Sequence, residues 1–159
     1  MRNLIFAVTL LAAPAHAACP NDSEIFSCTI DGKPLRICHW RGALIYNFGP
    51  VDKPELSLSQ PLQSVQFTPR PGMGGSIWES VAFPNQGYTY EVWTSIELDP
   101  EAVEGLQGGI NVLEADALVT QLTCDPGTPA NSLDIIYELK QSIGQCRDHD
   151  TRVWTNICD

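Results

Sequence analysis

The stretch Glu24 to Gly49, EIFSCTIDGKPLRICHWRGALIYNFG, constrains the fold more than any other part of the chain. Phe26, Cys28 and Ile30 alternate with Ser27 and Thr29; after Asp31-Gly32, Leu35 and Ile37 carry the apolar phase on odd numbers. A two-residue Asp-Gly hairpin accounts for the change of parity, pairing Ile30 with Lys33, Cys28 with Leu35 and Phe26 with Ile37. With Tyr46-Asn47-Phe48-Gly49 closing a third strand, the stretch reads as a three-strand antiparallel meander. In this register Cys28 points to the apolar face and Cys38 to the opposite face beside Ile25. The offset between them, at about 3.4 Å per residue, exceeds the roughly 7 Å Cα separation that a disulfide tolerates. A bridge between these two neighbours is therefore disfavoured.

The N-terminus has the layout of an export signal: Arg2, an apolar run from Leu4 to Ala13, and the small-x-small site Ala15-His16-Ala17. Cleavage is expected after Ala17, with residues 1–17 as signal peptide. A lipoprotein alternative at Cys19 is disfavoured because His16 stands where a Leu-like residue belongs. The six cysteines at 19, 28, 38, 124, 146 and 158 all follow this segment, and no C-x-x-C pair points to a metal. Three disulfides in an oxidising compartment, periplasmic or secreted, are expected. The 9 basic and 19 acidic residues give a net charge of −10. This balance argues against a nucleic-acid partner; it serves solubility first, and would steer toward a cationic protein where the surface binds one. No later apolar run approaches the ~20 residues of a membrane span.

Short turn-bounded strands continue at Glu55 to Ser59, Ser64 to Thr68, Ser76 to Phe83, Gly87 to Leu98, Gly109 to Glu114 and Ala117 to Cys124, punctuated by Pro and Gly. The expected fold is mainly β: an antiparallel meander of eight or nine strands, a small barrel or sandwich, over residues 18–124. Residues 125–159 should add a helix and a disulfide-anchored tail packed on the β domain. The helix is expected from an N-cap at Ser132 to about Ile143, with Leu133, Ile136, Tyr137 and Lys140 on one stripe and Gly144 past its end.

The pattern Phe26-x-Cys28, Cys38, Tyr46-x-Phe48-Gly49, Gly87-Tyr88-x-Tyr90-x-Val92 and Leu122-x-Cys124 resembles a group of small exported bacterial proteins of unknown function. More remotely it is similar to the inhibitors of c-type lysozyme, small barrels with one cysteine near the first strand and another near the last. The resemblance spans Glu24 to Cys124 and implies a barrel and a binding role. The Ser-Gly-x-x-Tyr loop of those inhibitors is absent, so no inhibitory residue carries over.

No catalytic set emerges from the residues. His39 follows Cys38, but adjacent strand residues point to opposite faces and an exported cysteine is oxidised, so they make no thiolate and base. Asp148-His149-Asp150 offers three consecutive ligand types, which rarely converge on one ion. No spacing suggests a Ser-His-Asp triad, a phosphate-binding loop or a cofactor.

The hairpin Ile77 to Thr94 is the local anomaly. Placing Phe83 opposite Tyr88 across a Pro84 to Gly87 loop sets Val81 against Tyr90 and Ile77 against Thr94. Glu79 then faces the core opposite Val92, and Trp78 faces outward opposite Trp93. A buried Glu79 needs rescue by an Arg such as Arg70, or a place at a rim or bulge. Two outward indoles need cover, either from the helix stripe of Leu133, Ile136 and Tyr137 or from a ligand, and the helix is the expected cover. Leu118, Leu122 and Cys124 share a phase that puts Cys124 on the apolar face. With barrel closure bringing the last strand beside the first, the expected disulfides are Cys28–Cys124, Cys146–Cys158 and Cys19–Cys38, against the alternative of Cys28–Cys38 with Cys19–Cys124. The function expected is a noncatalytic periplasmic binding module, including inhibition of a cationic enzyme. An envelope structural or assembly factor is the alternative, and a hydrolase comes third. Trp78, Trp93 and Glu79 are the candidate binding residues.

Overall fold

The computed structural model describes residues 19–20, 23–70, 75–99, 105–148 and 150–158. The expected signal segment 1–17 and the ligand candidate His149 lie outside the described residues. The fold is mainly β, with antiparallel sheets and one short helix. Strands β1 (Glu24–Ile30), β2 (Lys33–Trp40), β3 (Ala43–Phe48) and β4 (Leu56–Pro61) form a four-stranded sheet in chain order. A five-stranded sheet follows, also in chain order: β5 (Gln66–Thr68), β6 (Ser76–Asn85), β7 (Tyr88–Glu97), β8 (Gln107–Glu114) and β9 (Ala117–Thr123). Helix α1 (Ile135–Ser142) precedes a two-stranded ribbon of β10 (Cys146–Arg147) and β11 (Trp154–Thr155).

Of the expected barrel or sandwich the barrel is excluded, and the expected eight or nine strands are corrected. The described residues form eleven strands in three sheets, and no barrel closes, because β4 and β5 join no common ladder and neither do β9 and β1. The two larger sheets instead face each other over one core. Phe26, Leu35, Ile37, Leu44 and Tyr46 come from the first sheet, and Val81, Phe83, Val92 and Ile110 from the second. The Tyr46 ring lies 5.5 Å from Phe83 and 6.0 Å from Tyr90 across the interface.

Hairpin chemistry sets the registers. Asp31-Gly32, Arg41-Gly42, Gln86-Gly87 and Ala115-Asp116 all have positive φ at both positions, the two-residue turn whose twist matches that of the strands. The first hairpin pairs Ile30 with Lys33, Cys28 with Leu35 and Phe26 with Ile37, as the alternation requires, with a bulge at Ile25 that sets Glu24 against Cys38. The second departs by two residues from the sequence reading. Its turn is Gln86-Gly87, so Phe83 pairs with Tyr90, Val81 with Val92, Glu79 with Thr94 and Trp78 with Ser95. Pro84 is tolerated inside β6 because, opposite Thr89 and one step from the pair flanking the turn, it occupies a non-hydrogen-bonded site of the β6–β7 ladder.

The disulfides are Cys19–Cys38, Cys28–Cys124 and Cys146–Cys158, with Cα separations of 5.4, 5.9 and 5.7 Å. The phase argument for Cys124 holds over Thr120 to Cys124 but not further. A bulge in the β8–β9 ladder sets Val112 against Thr120 and Leu113 against Leu118, which turns Leu118 to the outer face, where it is exposed. Asp125 reinforces the Cys28–Cys124 bond from the next residue. Its carboxylate accepts from Thr29 Oγ1 (2.6 Å), Gly32 N (3.0 Å) and Asp31 N (3.1 Å), while its own N–H donates to Thr29 O (2.7 Å). These bonds, that from Thr29 foremost, hold the Asp125 carboxyl below the usual aspartate value. The clamp therefore contributes above the unfolded aspartate pKa and is lost as the pH falls through the lower folded value.

Helix α1 starts two residues later than the sequence suggests. Asp134, not Ser132, caps it: Asp134 Oδ1 accepts from Ile135 N at 2.9 Å and from the Ser132 hydroxyl. Leu133 and Ile136 enter the core, and Lys140 on the same stripe is fully buried. Its Nζ donates to Leu62 O (3.0 Å) and Gln145 Oε1 (3.1 Å) and sits 5.2 Å over the Trp154 ring. Trp154 donates to Phe67 O at 2.8 Å and meets Tyr137 edge-on, so helix and tail dock on β5 and, through Lys140 and Gln145, on the Leu62 and Gln63 carbonyls that precede it. Burial pushes the Lys140 ammonium down to about 8, and these acceptors and the indole offset part of that cost.

Two stability measurements follow. Replacing both Cys28 and Cys124 by Ala should lower the urea unfolding free energy by about 4–5 kcal/mol, the chain-entropy value for a loop near 100 residues. Lys140→Ala should cost about 2–4 kcal/mol by the same assay, since it leaves Leu62 O and Gln145 buried without their donor and opens a cavity.

Candidate functional site

The strand period of two divides the β6–β9 residues between the core and an outer face. Ser76, Trp78, Ser80, Glu91, Trp93, Ser95, Asn111 and Gln121 line a trough of about 280 Å³ on that outer face. The corrected register places Trp78 opposite Ser95 and Trp93 opposite Ser80, so the two indoles stand diagonally and not face to face. Trp78 is 39% exposed.

Glycine shapes the floor of the trough. Trp93 pairs with Gly109, and a Cβ there would fall 3.0 Å from Cε2 and Cζ2 of the indole and 2.2 Å from Leu122 O. The Trp93 ring therefore lies over the bare glycine backbone, as aromatic side chains do when they fill the gap at a strand glycine. Its Nε1–H is buried without a hydrogen-bond partner. Gly108, one residue earlier, serves the other face: a Cβ there would lie 2.9 Å from the Phe26 ring.

Beside the indoles a polar ladder crosses four strands. Ser80 Oγ donates to Glu91 Oε1 at 2.9 Å, Asn111 Nδ2 donates to Glu91 Oε2 at 3.0 Å, and Gln121 Nε2 donates to Asn111 Oδ1 at 2.9 Å. Both Glu91 oxygens are thus engaged, and Glu91 is the one ionisable residue lining the trough. The sequence reading missed the ladder. Its members are contributed by β6, β7, β8 and β9 and share no local pattern; the sole signal was that each belongs to the outward phase of its strand.

The expected cover for the indoles is corrected. Leu133 and Ile136 enter the core between the sheets and Tyr137 packs on Trp154, so the helix stripe serves the inner side of the molecule. The stripe needs an apolar surface, and the core between the sheets meets that need better than a flat outer face.

Glu79 lies on the core side of β6, 7% exposed, against a cavity of about 90 Å³ shared with Arg70, Thr94, Leu106, Ser132 and Asp134. Burial, then the Asp134 carboxylate, push its pKa up to about 7, and Arg70 acts in the opposite direction. Arg70 is thus the neighbouring cation that the sequence reading named, although the ion pairs within 4 Å among the described residues are Lys33–Glu55 and Glu24–Arg36. The structure separates Glu79 from Trp78 and Trp93, which occupy the opposite face.

A recess of about 540 Å³ is lined by Ser23, Glu24, Ile25, His39, Asn131, Ser132, Asp134, Ile135 and Leu139. Ser23 Oγ and His39 Nε2 are each buried without a partner, so they form no nucleophile–base pair. Cys38 beside His39 is bonded to Cys19. Among the described residues no group of three or more His, Cys, Asp or Glu side chains could hold a metal, and no helix is long and apolar enough to cross a membrane.

Comparison with protein-family models, curated proteins and solved structures finds no significant match for this chain.

The Glu79 carboxyl gives a signed pH prediction. A folded pKa raised from 4.5 to about 7 means that the folded state holds this proton more tightly than the unfolded chain. Its stabilising contribution is complete below the unfolded value and is lost as the pH rises through about 7. Between about pH 5 and pH 8 the wild-type unfolding free energy should therefore fall relative to that of Glu79→Gln by about 1–3 kcal/mol, read by urea titration at each pH.

Proposed function

We propose that the protein is a noncatalytic binding module of the periplasm or extracellular space that meets its ligand through the outer face of β6–β9. The observation that carries this reading is the pair Trp78 and Trp93 on a sheet face that helix and tail leave open, beside side chains already fixed by mutual hydrogen bonds. Trp is a favoured anchor at interfaces, and a prearranged ladder loses little freedom on binding. The three disulfides support an oxidising compartment.

Inhibition of a cationic enzyme is a narrower version of the same reading. It rests on the net charge of −10, whereas the trough itself holds a single carboxylate whose oxygens are both engaged. A hydrolase reading draws on Glu79 with its pKa near 7. Its cavity of about 90 Å³ has room for roughly three waters at ~30 Å³ each, and the facing Asp134 carboxylate is committed to the helix cap.

The test is capture from a bacterial periplasmic extract on immobilised full-length protein and on Trp78→Ala, at low salt and at about 0.5 M salt, where the screening length is only a few ångströms. The proposal expects a captured component that survives high salt and falls several-fold with Trp78→Ala. Capture that vanishes in salt and ignores Trp78 would assign binding to the acidic surface elsewhere and reject this face.

A further inference from the structure

We propose that the Trp78–Trp93 trough takes an uncharged β-1,4-linked pyranose chain laid flat across β6–β9. The inference rests on the reading of this face as the binding surface and adds the chemistry of its occupant. A pyranose with equatorial substituents has two apolar C–H faces and a rim of hydroxyls, each both donor and acceptor. It is bound by a flat aromatic surface below and planar polar groups at the edge. The trough supplies both. Trp93 lies over Gly109 and lines the trough half-buried, and Trp78 stands on the neighbouring strand one diagonal step away. These rings have the amphipathic character that suits stacking against C–H surfaces.

The edge groups are Glu91, Asn111 and Gln121, held by their ladder. The ladder consumes one N–H of Asn111 and one of Gln121. The second N–H of each amide and the Gln121 carbonyl oxygen remain for hydroxyls of an incoming sugar. Three inter-strand steps from β6 to β9, at about 4.8 Å each, span ~14 Å, the length of roughly three such sugars.

Charge narrows the class. Glu91 and the net charge of −10 oppose uronates and sulfated glycans. A cationic peptide would find one carboxylate in the trough, already accepting hydrogen bonds from Ser80 and Asn111, and no second acidic group for a further basic side chain. An uncharged polyol meets neither objection.

The experiment is titration of the full-length protein with chitotetraose, with cellotetraose and with an oligogalacturonate of equal length, followed by tryptophan fluorescence and calorimetry. The proposal expects a saturable fluorescence change with at least one of the two neutral tetrasaccharides and none with the oligogalacturonate. Which neutral sugar binds shows whether the N-acetyl group is read. Trp78→Ala and Asn111→Ala should each weaken that binding at least tenfold, while the urea midpoint of Trp78→Ala, an exposed position, stays at the wild-type value. Binding that ignores both substitutions overturns the proposal, as does absence of binding to both neutral sugars. If neither sugar binds while Trp78→Ala still reduces capture from the extract, the ligand class is wrong and the binding face stands. If Trp78→Ala alters neither, both fall. A dimer in sedimentation equilibrium that Trp78→Ala dissociates would assign the face to a second copy of this chain and also overturn the glycan proposal.

Discussion

Cys28 and Cys124 stand 96 residues apart in sequence, and the bond between them spans a margin that no strand ladder closes, beside the isolated backbone bonds of Asp125 N to Thr29 O and between Ser27 and Ala130. The nine strands of the two large sheets follow one another in order, yet the ladder breaks between β4 and β5 and is not closed between β9 and β1. At the first break the sheets are joined only by the short run from Leu62 to Val65, whose first and last residues are buried in the core. At the second, the disulfide and the Asp125 carboxylate fasten the end of β9 to the first hairpin. With both margins fixed, the inner faces share one hydrophobic core, and the open end of that core receives Leu133 and Ile136. The docking of the helix, the burial of Lys140 and the seat of Trp154 all presuppose this relation between the sheets.

Much of this was legible where short-range chemistry decides. The Asp31-Gly32 turn is a strong hairpin signal, and the alternation around it permits one register, which the structure has. From that register came the separation of Cys28 from Cys38, whereas the pairing of Cys28 with Cys124 was reached through a barrel closure that the structure does not have. The second hairpin was less legible because its turn is Gln86-Gly87. Glutamine is an uncommon residue at positive φ, and Pro84 argues for a loop where the strand in fact continues. A slip of two residues preserves the faces, so Glu79 was placed inward and both indoles outward although their partners were wrong. The β9 bulge shows the opposite case: one extra residue moved Leu118 to the other face, and nothing in ALVTQLT announces it.

The candidate site was half legible for the same reason. Large aromatic residues in the outward phase of a strand can be read one strand at a time. The Ser80–Glu91–Asn111–Gln121 ladder cannot, because it exists only after three registers are set. Barrel closure depends on how sheet twist is spent over many strands and was also beyond local pattern. The tandem Gly108-Gly109 carries meaning only in three dimensions, where one glycine admits the Phe26 ring from the core and the other admits Trp93 from outside. That division of labour makes the β8 backbone a thin wall between core and trough, and it links the packing of the sheets to the shape of the binding face.

The account turns on Trp78 lying open while the indoles of Trp93 and Trp154 are held by the fold. It is tested most directly by ¹H–¹⁵N spectra of the indole N–H groups in the presence of a soluble paramagnetic relaxation agent. The account predicts strong broadening of the Trp78 signal and protection of Trp154, which donates to Phe67 O, and of Trp93, whose Nε1 is buried. A Trp78 signal as protected as that of Trp154 would show that some part of the molecule covers the outer face, and would contradict the account.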